Sequence, residues 1–189
     1  YSSDYLTSKV PATKAALGPA FPFLLNAQGQ ALKGLTQLRS GGVRPLFDQG
    51  WLYWNGLAGD FLFGTLGLLG STPLPAENAG VTYQFDTDPA LSGAEAAFNA
   101  TVQRVIASPT ARRKFTPLTG NLQIPMLTLH TLGDLFAPFV VQQIYAERVA
   151  ARGASNLLVQ RATRDVGHCT FTPTELVAGF ADLVQWVEG

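Results

Sequence analysis

The stretch Ile124-Pro125-Met126-Leu127-Thr128-Leu129-His130-Thr131-Leu132-Gly133-Asp134 decides how the chain is read. Its body is short and apolar, with a proline near one end and Gly-Asp at the other. Pro125 opens it where a missing N–H is tolerated, so the run predicts a strand buried on both faces. Outward from there, Val140, Val141, Ile144, Tyr145 and Val149 recur at helical spacing between Ala137 and Arg152. Gly153 then falls where a left-handed C-terminal cap belongs. A second strand is expected at Asn156 to Gln160. Strand, helix and strand in that order predict a parallel pair joined by a right-handed crossover.

Each expected strand leads into a loop with a chemically capable side chain. Asp134 follows Gly133, and His168 follows Gly167. Open α/β sheets place their sites beyond the carboxyl ends of the strands. An acid and then a histidine, 34 positions apart with one helix between them, are the last two members of a nucleophile-acid-base triad in chain order. The first member is not found, because none of the 189 residues lies in a Gly-x-Ser-x-Gly turn. Past the histidine, Thr172-Pro173-Thr174-Glu175 puts Thr at the N-cap, Pro at N1 and Glu at N3, a capping box worth about 1 kcal/mol. The helix it opens is expected to bury Leu176, Phe180, Leu183, Val184 and Val187 on one stripe.

Other readings compete at each position. Asp134 could simply cap its turn, and Asp86 and Asp88, one segment earlier, or Asp165, just before His168, could supply the acid. The chain has two histidines, and His130, inside the apolar strand, reads as structural. Cys169 is expected to be buried packing rather than a nucleophile, since alternation should point it away from His168. No His, Cys and acid cluster has metal-ligand spacing and no Gly-rich phosphate loop follows a strand, so no cofactor is expected.

The stretch Ile124 to Gly189 resembles the C-terminal part of an α/β-hydrolase of the esterase and lipase kind. The likeness is carried by Pro125-Met126-Leu127-Thr128-Leu129-His130-Thr131-Leu132-Gly133-Asp134, by Gly167-His168-Cys169, and by a closing amphipathic helix ending in Gln185-Trp186-Val187. The resemblance implies that Asp134 is the triad acid and His168 the base, and that an N-terminal half holding the serine nucleophile and about five further strands lies outside these residues. It implies a carboxylic ester hydrolase for a small hydrophobic ester, inactive as this chain alone. A peptidase or amidase, or a dehalogenase or epoxide hydrolase with an aspartate nucleophile, would share the acid-base pair. A non-catalytic protein binding an apolar ligand remains the alternative from a different class.

Residues 1–120 do not keep the strand-helix rhythm and read as a mostly helical cap or lid, with 121–189 as the core segment. Phe21, Phe23, Phe47, Trp51, Tyr53, Trp54, Phe61 and Phe63 crowd its first half. In similar hydrolases a cap of this kind forms the substrate pocket, and Trp51, Trp54, Phe61 and Phe63 are the candidate substrate-binding residues. An amphipathic helix is expected from Ser92 to Ala107, turning Phe98, Val102, Val105 and Ile106 inward, after an extended segment at Val81 to Phe85. The run Trp51 to Gly70 is long enough to span a bilayer. However, Asp60 near its middle would cost about 3 kcal/mol there, and its glycines at 56, 59, 64, 67 and 70 suit two short helices broken near Gly59-Asp60 better.

Composition narrows the partners. Hydrophobic residues make up 47% and charged residues 14%, below the usual quarter, so extra apolar surface is expected. Net charge is zero and the basic residues are scattered, which gives no footprint for nucleic acid or anionic membrane. A single cysteine excludes an internal disulfide and leaves the compartment, secreted or cytoplasmic, open.

Overall fold

The computed structural model describes residues 4–59, 61–63, 78–86, 88–102, 104, 106 and 118–189. By contacts the chain forms two units, Tyr1–Gly70 with Leu118–Gly189, and Ser71–Pro117. The first is an α/β unit. Its sheet has two parallel strands, β1 (Met126–Thr131) and β2 (Leu158–Thr163), paired from Met126 with Leu158 to Thr131 with Thr163. The second strand therefore starts two residues later than its pattern suggests and runs on to Thr163. Asn156 and Leu157, taken in sequence as its beginning, belong to a single 3-10 turn, Ser155–Leu157.

Alternation along β1 assigns the two covering helices to opposite faces. Thr128 donates to the Gln142 side chain at 2.9 Å, and His130 packs edge-on against Phe139. Both contacts are to the crossover helix or its first turn. Leu127 and Leu129, of opposite parity, approach Gly179 of the closing helix. On that side Arg161 of β2 also forms an ion pair with Asp182. One helix per face of a parallel pair is the three-layer arrangement that the order of elements predicts.

In the first part of this unit, a π-helical turn (Tyr5–Lys9) leads into α1 (Val10–Leu17), followed by α2 (Ala27–Arg39), whose N-cap Asn26 accepts from the Gly29 N–H. Helix α3 (Phe47–Leu52) runs on through a π-helical turn at Tyr53–Leu57. The chain breaks from helix at Ala58 and Gly59, as expected; of the stretch where a second helix was expected, Phe61 to Phe63 are turn and residues 64–70 lie outside the described residues. Among the described residues no helix is long and apolar enough to cross a membrane. Phe47, Trp51 and Phe61 form the buried core with Leu135, which immediately follows Asp134. The aromatic segment thus packs under the acid loop, and at Gly50 an added Cβ would collide with the Gly133 carbonyl.

The second unit contains α4 (Gly93–Thr101), opened by a capping box in which Ser92 and Glu95 serve each other's backbone. The helix is shorter than expected and ends where Val102 turns extended. Its apolar residues are not turned into a core. Phe98 is exposed and holds Tyr83 and Phe85 edge-on, Ile106 is exposed, and Val105 lies outside the described residues. Val81 to Gln84, expected as an extended segment, has no regular secondary structure and pairs with no strand among the described residues.

The crossover helix α5 spans Val140–Ala151 and closes on Gly153 with φ +70, the left-handed residue the sequence asks for. It begins three residues later than its pattern: the residues after Asp134 form a turn whose Phe136 and Ala137 N–H groups its carboxylate accepts, and the Val140 N–H donates to the Ser40 carbonyl at 3.0 Å. The closing helix α6 (Pro173–Glu188) has the expected capping box at Thr172. Its expected buried stripe does not form: Leu176, Phe180 and Val187 are exposed, Phe180 at 70%. The cause is width. Two strands spaced about 4.8 Å apart cannot cover the apolar arc of a helix about 10 Å across.

His130 is structural in placement, as its strand position suggests. Its Nε2–H donates to the Ala137 carbonyl at 2.9 Å, while Nδ1 faces the Gln142 amide at 3.4 Å, contacts that suit a neutral ring. Burial holds its pKa below the ordinary imidazole value, against the pull of the Ala137 carbonyl and of Asp134. A depressed folded value means the unfolded chain takes up this proton first. The stabilisation is complete above the unfolded value of about 6.5 and is lost as pH falls through it toward the folded value. Urea midpoints should therefore drop between pH 7.5 and 5.5, and the drop should be smaller in His130→Gln. Parallel losses in the two proteins would count against this assignment.

Candidate functional site

The loops after β1 and β2 are joined by two backbone hydrogen bonds and one from a side-chain hydroxyl. The Leu132 N–H donates to the Thr163 carbonyl at 3.0 Å, the Gly133 N–H to the Asp165 carbonyl at 2.9 Å, and the Thr131 hydroxyl to the Gly167 carbonyl at 2.5 Å. At Gly133 an added Cβ would come within 2.8 Å of the Val166 side chain and 2.9 Å of the Leu46 carbonyl. Only glycine lets the two loops approach this closely.

Asp165 shapes the histidine loop rather than facing His168. Its carboxylate accepts from the N–H of Val166 at 2.5 Å and of Gly167 at 3.1 Å. The Gly167 N–H, then the Val166 N–H and the Thr170 hydroxyl hold its pKa below the usual carboxylate range.

Asp134 is 1% exposed, yet each of its oxygens has a partner. Oδ1 accepts from the N–H groups of Phe136 at 2.7 Å and Ala137 at 3.1 Å, and Oδ2 lies 2.7 Å from His168 Nδ1. A buried carboxylate is stable only when so supplied with donors. An ionised carboxylate can only accept, so this contact places the proton on Nδ1 and leaves the lone pair on Nε2. The acid end of the pair is buried, while the imidazole side chain is 39% exposed.

The rival acids are occupied locally. In the unit Ser71–Pro117, Asp86 accepts from the Asp88 N–H and Asp88 from the Ala90 N–H, both at 2.9 Å, as turn caps. Cys169 departs from expectation. It is exposed, and its Sγ is 3.8 Å from His168 Nε2. The reason is backbone: Cys169 takes φ +56, so the alternation of extended chain does not carry across it.

The four aromatic candidates separate in depth. Trp51 and Phe61 are buried in the core, and Phe63 meets Phe21 edge-on. Trp54 reaches the histidine loop, where its Nε1–H donates to the Val166 carbonyl at 2.8 Å. Two nearby residues escaped the sequence reading. Phe136 lies with its ring centroid 4.8 Å from the His168 imidazole, and the Arg44 Nε–H donates to the Leu132 carbonyl at 2.8 Å. Position two after the acid was the available hint for Phe136. For Arg44, which lies 88 residues from its partner, there was none.

The fold is of the α/β class, and its acid-histidine pair lies beyond the carboxyl ends of two parallel strands. Among known proteins the chain is similar to an o-phthalyl amidase of Xanthobacter agilis, 29% identical over 66 residues, 35% of this chain and 15% of that protein. The aligned part thus spans under a sixth of that hydrolase's length. No family of known proteins matches the chain, and no solved structure matches it.

Proposed function

We propose that the chain is the acid- and base-bearing part of an α/β-hydrolase that transfers an acyl group to water. In this reading the serine nucleophile comes from a segment outside these 189 residues. The supporting observation is the 2.7 Å contact between Asp134 Oδ2 and His168 Nδ1, which leaves Nε2 on the outer side of the ring. As the nucleophile attacks a carbonyl carbon, Nε2 takes its proton; Asp134 holds the tautomer and stabilises the imidazolium. The proton then passes to the leaving group. Water repeats the cycle on the acyl intermediate.

Residues 1–120 act as the cap and 121–189 as the catalytic core segment, with Trp54 at the substrate and Trp51, Phe61 and Phe63 behind it. The substrate is a small hydrophobic ester. A second reading, an amide substrate, draws on the amidase similarity. Paired aryl butanoate and butyranilide substrates decide between them in the protein joined to its nucleophile-bearing segment. His168→Ala should remove turnover of whichever is cleaved, whereas Cys169→Ala should leave it within about twofold, since the thiol has no step in this scheme. Turnover lost in Cys169→Ala and kept in His168→Ala would refute the assignment.

A further inference from the structure

Phe136 is fixed at both ends yet left open. Its backbone N–H is committed to Asp134 at 2.7 Å, which fixes where its ring begins. The ring lies 4.8 Å from the His168 imidazole, tilted by 55°, and stacks with Trp54 at 6.0 Å and 24°. Trp54 is itself held to Val166 through its indole N–H. Even so, Phe136 is 56% exposed, while its neighbour Leu135 is buried at 1%. An apolar ring held in place with its surface in water is disposed to bind, because covering that surface is favourable and little ordering remains to be done. Its quadrupole adds a preference for another ring over an aliphatic group of equal size.

We propose that Phe136, backed by Trp54, is the subsite for a planar aromatic group attached to the reacting carbonyl. A ring packed on Phe136 sits about 5 Å from it, and the His168 imidazole is itself 4.8 Å from Phe136, so a carbonyl borne directly on the bound ring falls within reach of the imidazole. An aroyl ester or amide is then the preferred substrate over one with an aliphatic acyl group. This rests on the functional reading above only in taking His168 to mark the reacting end.

Benzamide and cyclohexanecarboxamide, similar in size and different in π character, test the subsite. Each is titrated into the dilute 189-residue chain and followed by ligand-observed NMR. Benzamide should bind about fivefold more tightly, and the ratio should fall to near one in Phe136→Leu, which keeps the apolar area and the Asp134 backbone contact. Equal affinities in the unaltered chain, or a preference that survives in Phe136→Leu, would overturn the proposal. The outcome separates from that of the hydrolase reading. Aryl preference without any His168-dependent turnover in the joined protein removes only the latter, and His168-dependent turnover without aryl preference removes only the subsite.

Discussion

On the proposed reading, Asp134→Asn, in the protein joined to the nucleophile-bearing segment that reading calls for, is expected to lower kcat by about four orders of magnitude, the loss that follows when a catalytic histidine is left in the wrong tautomer. The reason lies in donors and acceptors. Oδ1 already accepts two backbone N–H groups, so an asparagine places its carbonyl oxygen there and turns its NH2 toward His168. Nδ1 must then accept, and the proton moves to Nε2, where it blocks base catalysis. The fold should tolerate the change, because shape and the Oδ1 contacts persist. Asp86→Asn should be mild, since that side chain caps its own turn. Steady-state kinetics with thermal melts beside them make the comparison, and the reverse ranking would move the acid to Asp86.

The largest expected effect is on the chain by itself. If the nucleophile lies elsewhere, the purified 189-residue chain should hydrolyse aryl esters about six orders of magnitude more slowly than the joined protein, the loss seen when a serine hydrolase is deprived of its serine. Exposed side chains add a physical signature. Leu176, Val177, Phe180 and Val187 of α6 lie in water, beside a sheet that among the described residues has two strands and unpaired outer edges. A hydrophobic dye should therefore bind the isolated chain strongly, and the complementary segment added in trans should displace the dye and restore turnover together. His168-dependent turnover by the chain alone, or a compact dye-silent monomer in sedimentation, would contradict this and favour a self-sufficient binding protein.

The βαβα portion was legible in sequence because its signals are local. The short apolar run after Pro125, helical spacing, Gly153 and the Thr172 to Glu175 capping box each act within a few residues, and each stands at the element it announced, although β1 is only half-buried over Met126 to Leu129. Pairing of Asp134 with His168 was legible for the same reason, as both follow strands that lie side by side. The misses share another cause. Whether Phe180 and Phe98 are covered depends on what lies across from them, and whether Cys169 turns toward Nε2 depends on one backbone angle. Neither is written in a residue's neighbours. The late start of α5 belongs with these misses, since the Val140 N–H at its start donates to the carbonyl of Ser40, a hundred residues away.

The three hydrogen bonds that join the loops after β1 and β2 also bear on when the site is built. All their partners lie between Thr131 and Gly167, so the closure they require spans about one helical crossover, an entropic cost that grows only with the logarithm of loop length. Acid and base can meet as soon as β1 and β2 pair, before any sequence-distant segment has docked. A hydrolase assembled in this order would acquire its general base first and its nucleophile last, and half-formed intermediates along the way would be chemically silent.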